Sequence, residues 1–182
     1  MALWIAIAFC VSSVPVTDPV SSTTTIFIVR HAEKDADGQL SEAGIRRAKA
    51  LSRFLANQNI SAVYSTDYAR TLNTAKPTAI AAGHKVQTYS PRTTQEWFAG
   101  LKSKHAGQNI LIVGHSNTVV PLVNGLGAKM TYEIGELDYQ NLFIVAVTHA
   151  TAQAVRINYG EVRAIAATAN HADVKRSVVT EK

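Results

Sequence analysis

The chain has little cysteine and no hydrophobic run long enough to cross a membrane. Its single cysteine, Cys10, excludes an intrachain disulfide and a metal cluster built on cysteines. The apolar stretch at residues 2–11 is about half of the roughly 20 residues that a membrane-spanning helix needs, so no stable membrane span is expected. Basic residues interleaved with aromatic ones are also lacking, and nothing in the sequence indicates a nucleic acid as partner.

The amino-terminal residues have the order of a secretory signal peptide. Small and turn-forming residues at 12–15 follow the apolar stretch, although no Lys or Arg precedes it. Residues 14–25 are rich in Ser, Thr and Pro, which is typical of a linker. We therefore expect residues 1–25 to be signal peptide and linker, and the protein to be exported to the periplasm or the cell exterior. The alternatives are a wrongly assigned start or a buried N-terminal strand, and the alternative location is the cytoplasm.

The composition is that of a globular domain with a positive charge. The 182 residues are 47% hydrophobic and 17% charged, enough for one domain with a substantial core. Eighteen Lys and Arg residues against 13 Asp and Glu residues leave a formal net charge of +5. This excess favours an anionic substrate or surface without identifying it.

Hydrophobic periodicity predicts alternating strands and helices from residue 26 onward. Short apolar, β-branched runs predict strands, whereas apolar residues three and four apart predict helices. The helix that begins near Ser41 has Ile45 on its apolar face and Arg47 on its polar face, beside Arg46, Lys49 and Arg53. Strands are predicted at 26–29, 60–64, 86–89, 110–113, 141–148 and 152–158, and the other helices at 67–82, 93–105 and 117–126.

This alternation predicts a three-layer α/β/α sandwich with a mostly parallel sheet. The last two strands leave no room for a helix between them, so we expect an antiparallel edge near the C-terminus. Residues 26–160 would form the domain, and residues 161–182 a weakly structured tail.

Two predicted strands each end in a histidine. Residues 26–29 lead into Arg30 and His31, and residues 110–113 lead into Gly114 and His115. In open α/β sheets, ligands bind outside the carboxyl ends of the strands. If the two strands are neighbours, their histidines meet in one crevice.

Arg30 favours a phosphate site over a metal site. A guanidinium beside His31 repels a cation and attracts an oxyanion. Zinc would need a third ligand, which Glu33 could supply beside that permanent positive charge. A serine hydrolase is not indicated, since the sequence around Ser116 lacks the second glycine of a nucleophile elbow.

These segments resemble the motifs of the histidine phosphatase superfamily, the phosphoglycerate-mutase-like fold, and within it the small phosphohistidine-phosphatase-like branch. Residues 30–33 resemble its Arg-His-Gly nucleophile motif, with Ala32 in place of the glycine. The resemblance spans about residues 26–160. Three more segments resemble family motifs in the same order along the chain: 40–44 its Leu-x-x-x-Gly, 64–75 the motif with the second arginine, and 114–116 the second histidine motif.

The resemblance implies a phosphatase that forms a covalent phosphohistidine on His31, without a metal or another cofactor. Arg30, Arg70 and His115 would neutralise the phosphate oxygens, and Asn117 would help to bind phosphate unless it only caps its helix. The arginines disfavour the imidazolium form of His31 and so keep the nucleophile neutral. Its second ring nitrogen is expected to donate to a backbone carbonyl.

Glu33 and Glu96 are both candidates for the general acid that protonates the leaving group. For each, a structural salt bridge to an arginine is an equally good explanation of the residue. The imidazole of a phosphohistidine substrate can leave phosphorus without protonation by a strong acid. The expected partner is therefore a small phosphorylated substrate or a phosphohistidine protein. Glu136 and Tyr139 are candidates for the pocket entrance. A catalytically weak or inactive phosphate-binding relative is the alternative function, and a mutase would need long insertions that this chain lacks. The sequence sets no oligomeric state.

Overall fold

The computed structural model describes residues 22–160. The expected signal peptide with Cys10 and the expected C-terminal tail at 161–182 therefore lie outside the described residues. The first strand begins at Thr24, two residues before its predicted start. The Thr24 hydroxyl donates to the carbonyl of His105 and accepts from the backbone N–H of Gly107, so the end of the expected linker is already part of the sheet.

The described residues contain six strands and four helices in the predicted order. All of the predicted elements are confirmed, with ends that differ by at most two residues. The strands are β1 (Thr24–Arg30), β2 (Ile60–Ser65), β3 (Val86–Thr88), β4 (Asn109–Gly114), β5 (Asn141–Val147) and β6 (Ala152–Asn158), and the helices are α1 (Glu42–Leu55), α2 (Ala69–Ala81), α3 (Gln95–Lys104) and α4 (Ser116–Gly125).

The strands form one sheet in the order β3-β2-β4-β1-β5-β6. The first four of these pair in parallel, whereas β5 is antiparallel to both β1 and β6. The prediction of a mostly parallel sheet with an antiparallel edge is therefore confirmed.

Alternate residues of β1 point into two separate cores, one on each face of the sheet. Ile26 and Ile28 pack in the core that includes residues of α3 and α4. Phe27 and Val29 pack in the core that includes residues of α1 and α2. Because both faces are covered by helices, the whole strand is apolar rather than alternating.

The connections leaving β1 and β4 pass over opposite faces of the sheet. Helix α1 follows β1 on one face, and α4 follows β4 on the other. The two strands are neighbours with Arg30 opposite Gly114. Such a divergence opens a crevice at the carboxyl ends of adjacent parallel strands, which is where His31 and His115 emerge.

Helix α1 differs from its predicted orientation at two residues. Its buried residues are Gly44, Ala48, Leu51 and Leu55. Ile45 lies about 100° around the helix from Gly44, so it is 45% exposed instead of buried. Arg47 was predicted to lie on the solvent face, but its side chain is 9% exposed because it pairs with Glu33.

Gly44 allows α1 to begin directly against the loop that follows His31. A Cβ atom at this position would overlap the carbonyl group of Glu33. The Ser41 side chain accepts from the Gly44 N–H at 3.2 Å and donates to the Glu33 carbonyl at 3.3 Å, which caps the helix. No helix within residues 22–160 is both long and apolar enough to cross a membrane.

Candidate active site

The two strand-end histidines lie side by side. Their ring centroids are 5.7 Å apart with an interplanar angle of 66°. The backbone N–H of His31 donates to the carbonyl of Gly114 at 2.9 Å, which extends the β1–β4 ladder into the site. The expectation that His31 and His115 meet in one crevice is confirmed.

The tautomer of His31 is set by a backbone carbonyl. Its Nδ1 lies 2.8 Å from the oxygen of Ala32, and since a carbonyl can only accept, Nδ1 carries the proton. The predicted donation to a carbonyl is therefore confirmed, and Nε2 keeps its lone pair. The loop itself is held because the Ala32 N–H donates to the Thr74 hydroxyl, which in turn donates to the Arg70 carbonyl.

Burial keeps the imidazole of His31 neutral. The side chain is 4% exposed, and this burial is the largest of the causes that lower its pKa from 6.5 to about 4. The hydrogen bond to Ala32 opposes the shift, and the charges of Arg30 and Arg70 add to it. The sequence reasoning named the arginines as the cause, but loss of hydration is the stronger effect.

His115 is oriented by a chain of threonine hydroxyls. Its Nε2 lies 2.9 Å from the hydroxyl of Thr66, which donates to the hydroxyl of Thr71, and that hydroxyl donates to the carbonyl of Thr66. The Thr66 proton is thereby engaged, so Thr66 accepts from the Nε2–H of His115. The bare Nδ1 of His115 then faces Nη2 of Arg70 at 3.5 Å.

The pKa of His115 is lowered to about 4, first by burial and then by the charges of Arg70 and Arg30. The free site therefore holds two neutral imidazoles beside two guanidinium groups at neutral pH. Such a site is adapted to a negative ligand, because an anion removes the repulsion that opposes protonation of His115.

Each arginine is held against a tyrosine ring. Nη1 of Arg30 donates to the carbonyls of Gly135 and Glu136, both at 2.8 Å, and its guanidinium lies 4.3 Å from the ring centre of Tyr139. The guanidinium of Arg70 lies 4.7 Å from the ring centre of Tyr68. Stacking fixes both guanidinium planes with little loss of charge.

Both arginines have a buried N–H group that forms no hydrogen bond with the described residues. Among the described residues, the Nε atoms of Arg30 and Arg70 are buried and have no hydrogen-bond acceptor. Buried donors are nearly always satisfied in folded proteins, so unsatisfied ones at a positively charged site point to an anionic acceptor.

A cavity of about 330 Å³ lies in front of the histidines and contains no carboxylate in its wall. Of the residues that the sequence proposes for phosphate binding, Arg70, His115 and Asn117 lie in this wall and Arg30 does not. The sequence reasoning missed Lys34 and Tyr68, although one follows the nucleophile motif directly and the other lies within the second arginine motif. The wall is formed by His31, Lys34, Tyr68, Arg70, Pro91, His115, Ser116, Asn117 and Thr118.

The structure brings neither candidate acid into this cavity. The carboxylate of Glu33 binds Arg47 through both oxygens, with N–O distances of 2.8 to 2.9 Å, which is the salt bridge that the sequence left open. Glu96 lies in the first turn of α3, where a hydrogen bond from Thr94 lowers its pKa. A lowered pKa makes a carboxyl group a weaker reservoir of protons at neutral pH.

Of the two candidates for the pocket entrance, Tyr139 lies near His31 and Glu136 contacts Arg30. The ring centre of Tyr139 lies 6.1 Å from that of His31, whereas Glu136 contributes its backbone carbonyl to Arg30. Within residues 22–160, no group of three or more His, Cys, Asp or Glu side chains is arranged to hold a metal ion.

The family model described as histidine phosphatase superfamily (branch 1) matches residues 26–100. The chain is therefore similar to this superfamily over that segment. The matched segment contains Arg30, His31 and Arg70 but ends before His115. The position of His115 beside His31 therefore rests on the pairing of β4 with β1.

Solved structures share the fold of this chain at low sequence identity. A candidate phosphohistidine phosphatase, SixA from Nakamurella multipartitia, is 16% identical with a TM-score of 0.56, over 76% of this chain and 98% of its own. A mycobacterial glucosyl-3-phosphoglycerate phosphatase is 12% identical with a TM-score of 0.58, over 77% and 100%. A phosphoserine phosphatase mutant from Entamoeba histolytica is 14% identical with a TM-score of 0.55, over 75% and 96%. No curated protein sequence matches the chain.

Proposed function

We propose that this protein is a metal-independent phosphatase that hydrolyses phosphomonoesters or phosphohistidine through a covalent intermediate on His31. The observation that carries the proposal is the state of the His31 ring. Its Nδ1 is committed to the Ala32 carbonyl, its Nε2 keeps a lone pair, and the cavity beside it is positively charged. This is the arrangement that a nitrogen nucleophile for phosphorus requires.

The reaction needs only the residues of the site and one water molecule. The lone pair of Nε2 forms a bond to phosphorus while the bond from phosphorus to the leaving group breaks, and the electron pair of that bond stays with the leaving group. Water then attacks the phosphohistidine, inorganic phosphate forms, and His31 regains its lone pair. The two guanidinium groups neutralise the charge that the phosphoryl oxygens carry in both steps.

His115 would act as a proton-linked phosphate ligand. Its bare Nδ1 cannot donate to a phosphate oxygen while the ring is neutral. A bound phosphate raises the tendency of this nitrogen to take up a proton, because the anion offsets the field of Arg70 and Arg30. The protonated ring then donates to the phosphate from Nδ1 and remains held at Nε2 by Thr66.

Leaving groups that need little protonation suit this site best. Both glutamates that the sequence offered as acids lie outside the cavity wall, and the wall has no carboxyl group. Phosphohistidine and aryl phosphates fit this requirement, because their leaving groups depart without a strong acid. The match of the fold to a candidate phosphohistidine phosphatase agrees with this preference.

Hydrolysis of p-nitrophenyl phosphate in the presence of EDTA tests the proposal. We expect turnover that the chelator leaves unchanged, and a loss of at least about a thousandfold in kcat for His31→Ala. His84→Ala changes an exposed histidine outside the cavity wall and is the matched control, with an unchanged rate.

Rapid acid-free quenching with radioactive phosphate substrate should trap label on the wild-type protein, and acid should release it. A His31→Ala protein that keeps the full rate would show that the nucleophile lies elsewhere. Turnover that EDTA abolishes and zinc restores would contradict the metal-independent mechanism.

A further inference from the structure

A larger cavity adjoins the phosphate pocket. It has a volume of about 690 Å³ and lies between α1, the loop after His31 and residues 137–140; we call it the α1 groove. Lys34 contributes to the walls of both cavities. Tyr139, which stacks on Arg30 and lies close to His31, also lines the groove. A substrate that fills the pocket can therefore continue into the groove.

The α1 groove is strongly basic. Its wall contains a single acidic side chain, Glu33, which is already bound to Arg47. Arg46 comes within 4.0 Å of Glu42, but both side chains are exposed and solvent screens such a pair. Among the described residues, Lys34, Lys49 and Arg53 have no ion pair. The five basic residues of the wall are Lys34, Arg46, Arg47, Lys49 and Arg53.

The shape of the groove distinguishes an extended chain from a compact anion. Arg46, Lys49 and Arg53 lie on successive turns of α1, and the helical rise places the first and last about 10 Å apart along the axis. An extended peptide covers that length with about three residues. Charges spread along a line match carboxylates along a chain, whereas a single phosphate needs donors that converge on one point.

The wall also includes apolar surface. Ala43 and Ala50 of α1 line the groove, and Leu137 lines it with 68% of its surface exposed. A polar anion such as a nucleotide phosphate gains nothing from these groups, but the side chains and Cα atoms of a peptide can pack on them. The hydrated lysine and arginine side chains favour fast, salt-sensitive binding, which suits a substrate that must leave after each turnover.

We propose that the α1 groove binds an acidic peptide segment of a phosphorylated protein, a few residues away from the phosphorylated side chain. This inference rests on the proposed phosphatase function, because the phosphoryl group would enter the pocket at His31 while flanking Asp or Glu residues face Lys49 and Arg53. The groove would thus select among phosphoproteins, and the pocket would perform the chemistry.

A charge reversal on α1 tests the selectivity. The double variant Lys49→Glu with Arg53→Glu changes two exposed residues that lie outside the phosphate pocket. The matched control, Lys85→Glu with Lys129→Glu, makes the same change in net charge at exposed positions outside the groove. The substrates are p-nitrophenyl phosphate and two phosphohistidine peptides, one flanked by Asp and Glu and the other by Asn and Gln.

We expect the α1 double variant to lose about tenfold in kcat/KM for the acidic peptide, and to match wild type on the amide peptide and on p-nitrophenyl phosphate. The control pair should behave as wild type with all three. Raising the salt from about 50 mM to about 500 mM shortens the Debye length from about 14 Å to about 4 Å and should remove most of the preference. Equal loss with both peptides, or no loss with either, would overturn the proposal.

A second measurement separates this inference from the proposed function. The unphosphorylated acidic peptide is titrated into wild-type protein while backbone amide shifts are followed by NMR. Shifts confined to α1 and residues 137–140, and absent in the α1 double variant, would support the groove even in a protein that hydrolyses nothing. Absence of these shifts at millimolar peptide would overturn it. If inorganic tripolyphosphate bound at the same amides more tightly than the acidic peptide does, the assignment of the groove to a peptide would also be overturned.

Discussion

Acidification should destabilise the phosphate-free protein through two imidazoles, that of the buried His31 and that of the half-buried His115. Burial lowers the pKa of His31 from 6.5 to about 4 in the folded chain, so the unfolded chain binds the proton more tightly. Stability contributed by this group is therefore fully present above about pH 6.5 and is lost as the pH falls toward 4. The same sign and the same window apply to His115.

The magnitude follows from the shift. At pH 5 the solution is about 1.5 pH units below the ordinary histidine pKa and still above the folded value, so His31 costs about 2 kcal/mol relative to pH 8. The substitution His31→Asn removes this titration, and the Asn amide can still donate toward the Ala32 carbonyl. The difference in unfolding free energy between pH 8 and pH 5 should therefore shrink by about 2 kcal/mol in the variant.

Urea denaturation followed by tryptophan fluorescence measures this difference. The buffers must contain no phosphate or sulfate, because an anion bound beside Arg30 and Arg70 would stabilise the folded state and change the protonation of His115. His115→Asn provides a parallel measurement with the same expected sign. If wild type and His31→Asn lost the same stability between pH 8 and pH 5, His31 would not be held neutral by the fold, and the reasoning would fail.

Three further predictions follow from the same structure. Gly44→Ala should lower the unfolding free energy by about 2 kcal/mol or more, because the new Cβ overlaps the Glu33 carbonyl. A urea midpoint equal to that of wild type would contradict this contact. Glu33→Gln should lower the unfolding free energy by about 1–3 kcal/mol, because Arg47 loses the carboxylate that it binds. Its kcat for p-nitrophenyl phosphate should stay within about twofold of wild type. A loss of about a hundredfold in kcat would show that Glu33 is the general acid after all. As the pH is lowered, kcat/KM for p-nitrophenyl phosphate should fall only below about pH 5, because His31 is neutral above that range. A fall in kcat/KM near pH 6.5 would instead show that the His31 imidazole is hydrated and has its ordinary pKa.

Local sequence patterns determined the secondary structure and much of the site. The apolar runs at 26–29 and 110–113 identified two strands buried on both faces, and the residues directly after them supplied both histidines and one arginine. These inferences succeed because backbone preference and the period of apolar residues are properties of neighbours along the chain. The placement of His31 beside His115 followed from a general rule for parallel sheets, and the register of β1 with β4 confirmed it.

Only the tertiary structure decided the partners of the charged groups. Arg47 looked like a solvent-facing residue of an amphipathic helix, yet it binds Glu33 and the carbonyl of Tyr159, 112 residues away. Arg30 is anchored by carbonyls 105 and 106 residues away, and the tautomer of His115 depends on Thr66, which follows β2, and on Thr71 of α2. Helical periodicity separates apolar from polar side chains, but it contains no information about which distant group will satisfy a buried charge.

The α1 groove is a second result of packing. Its basic residues are visible in the sequence, where they read as an ordinary hydrated helix face. Their position next to the phosphate pocket arises because α1 crosses from β1 on the face of the sheet where residues 137–140 return. The sequence by itself determined which residues could meet a phosphate, whereas burial and long-range hydrogen bonds decided their protonation, because hydration is lost only when the chain packs.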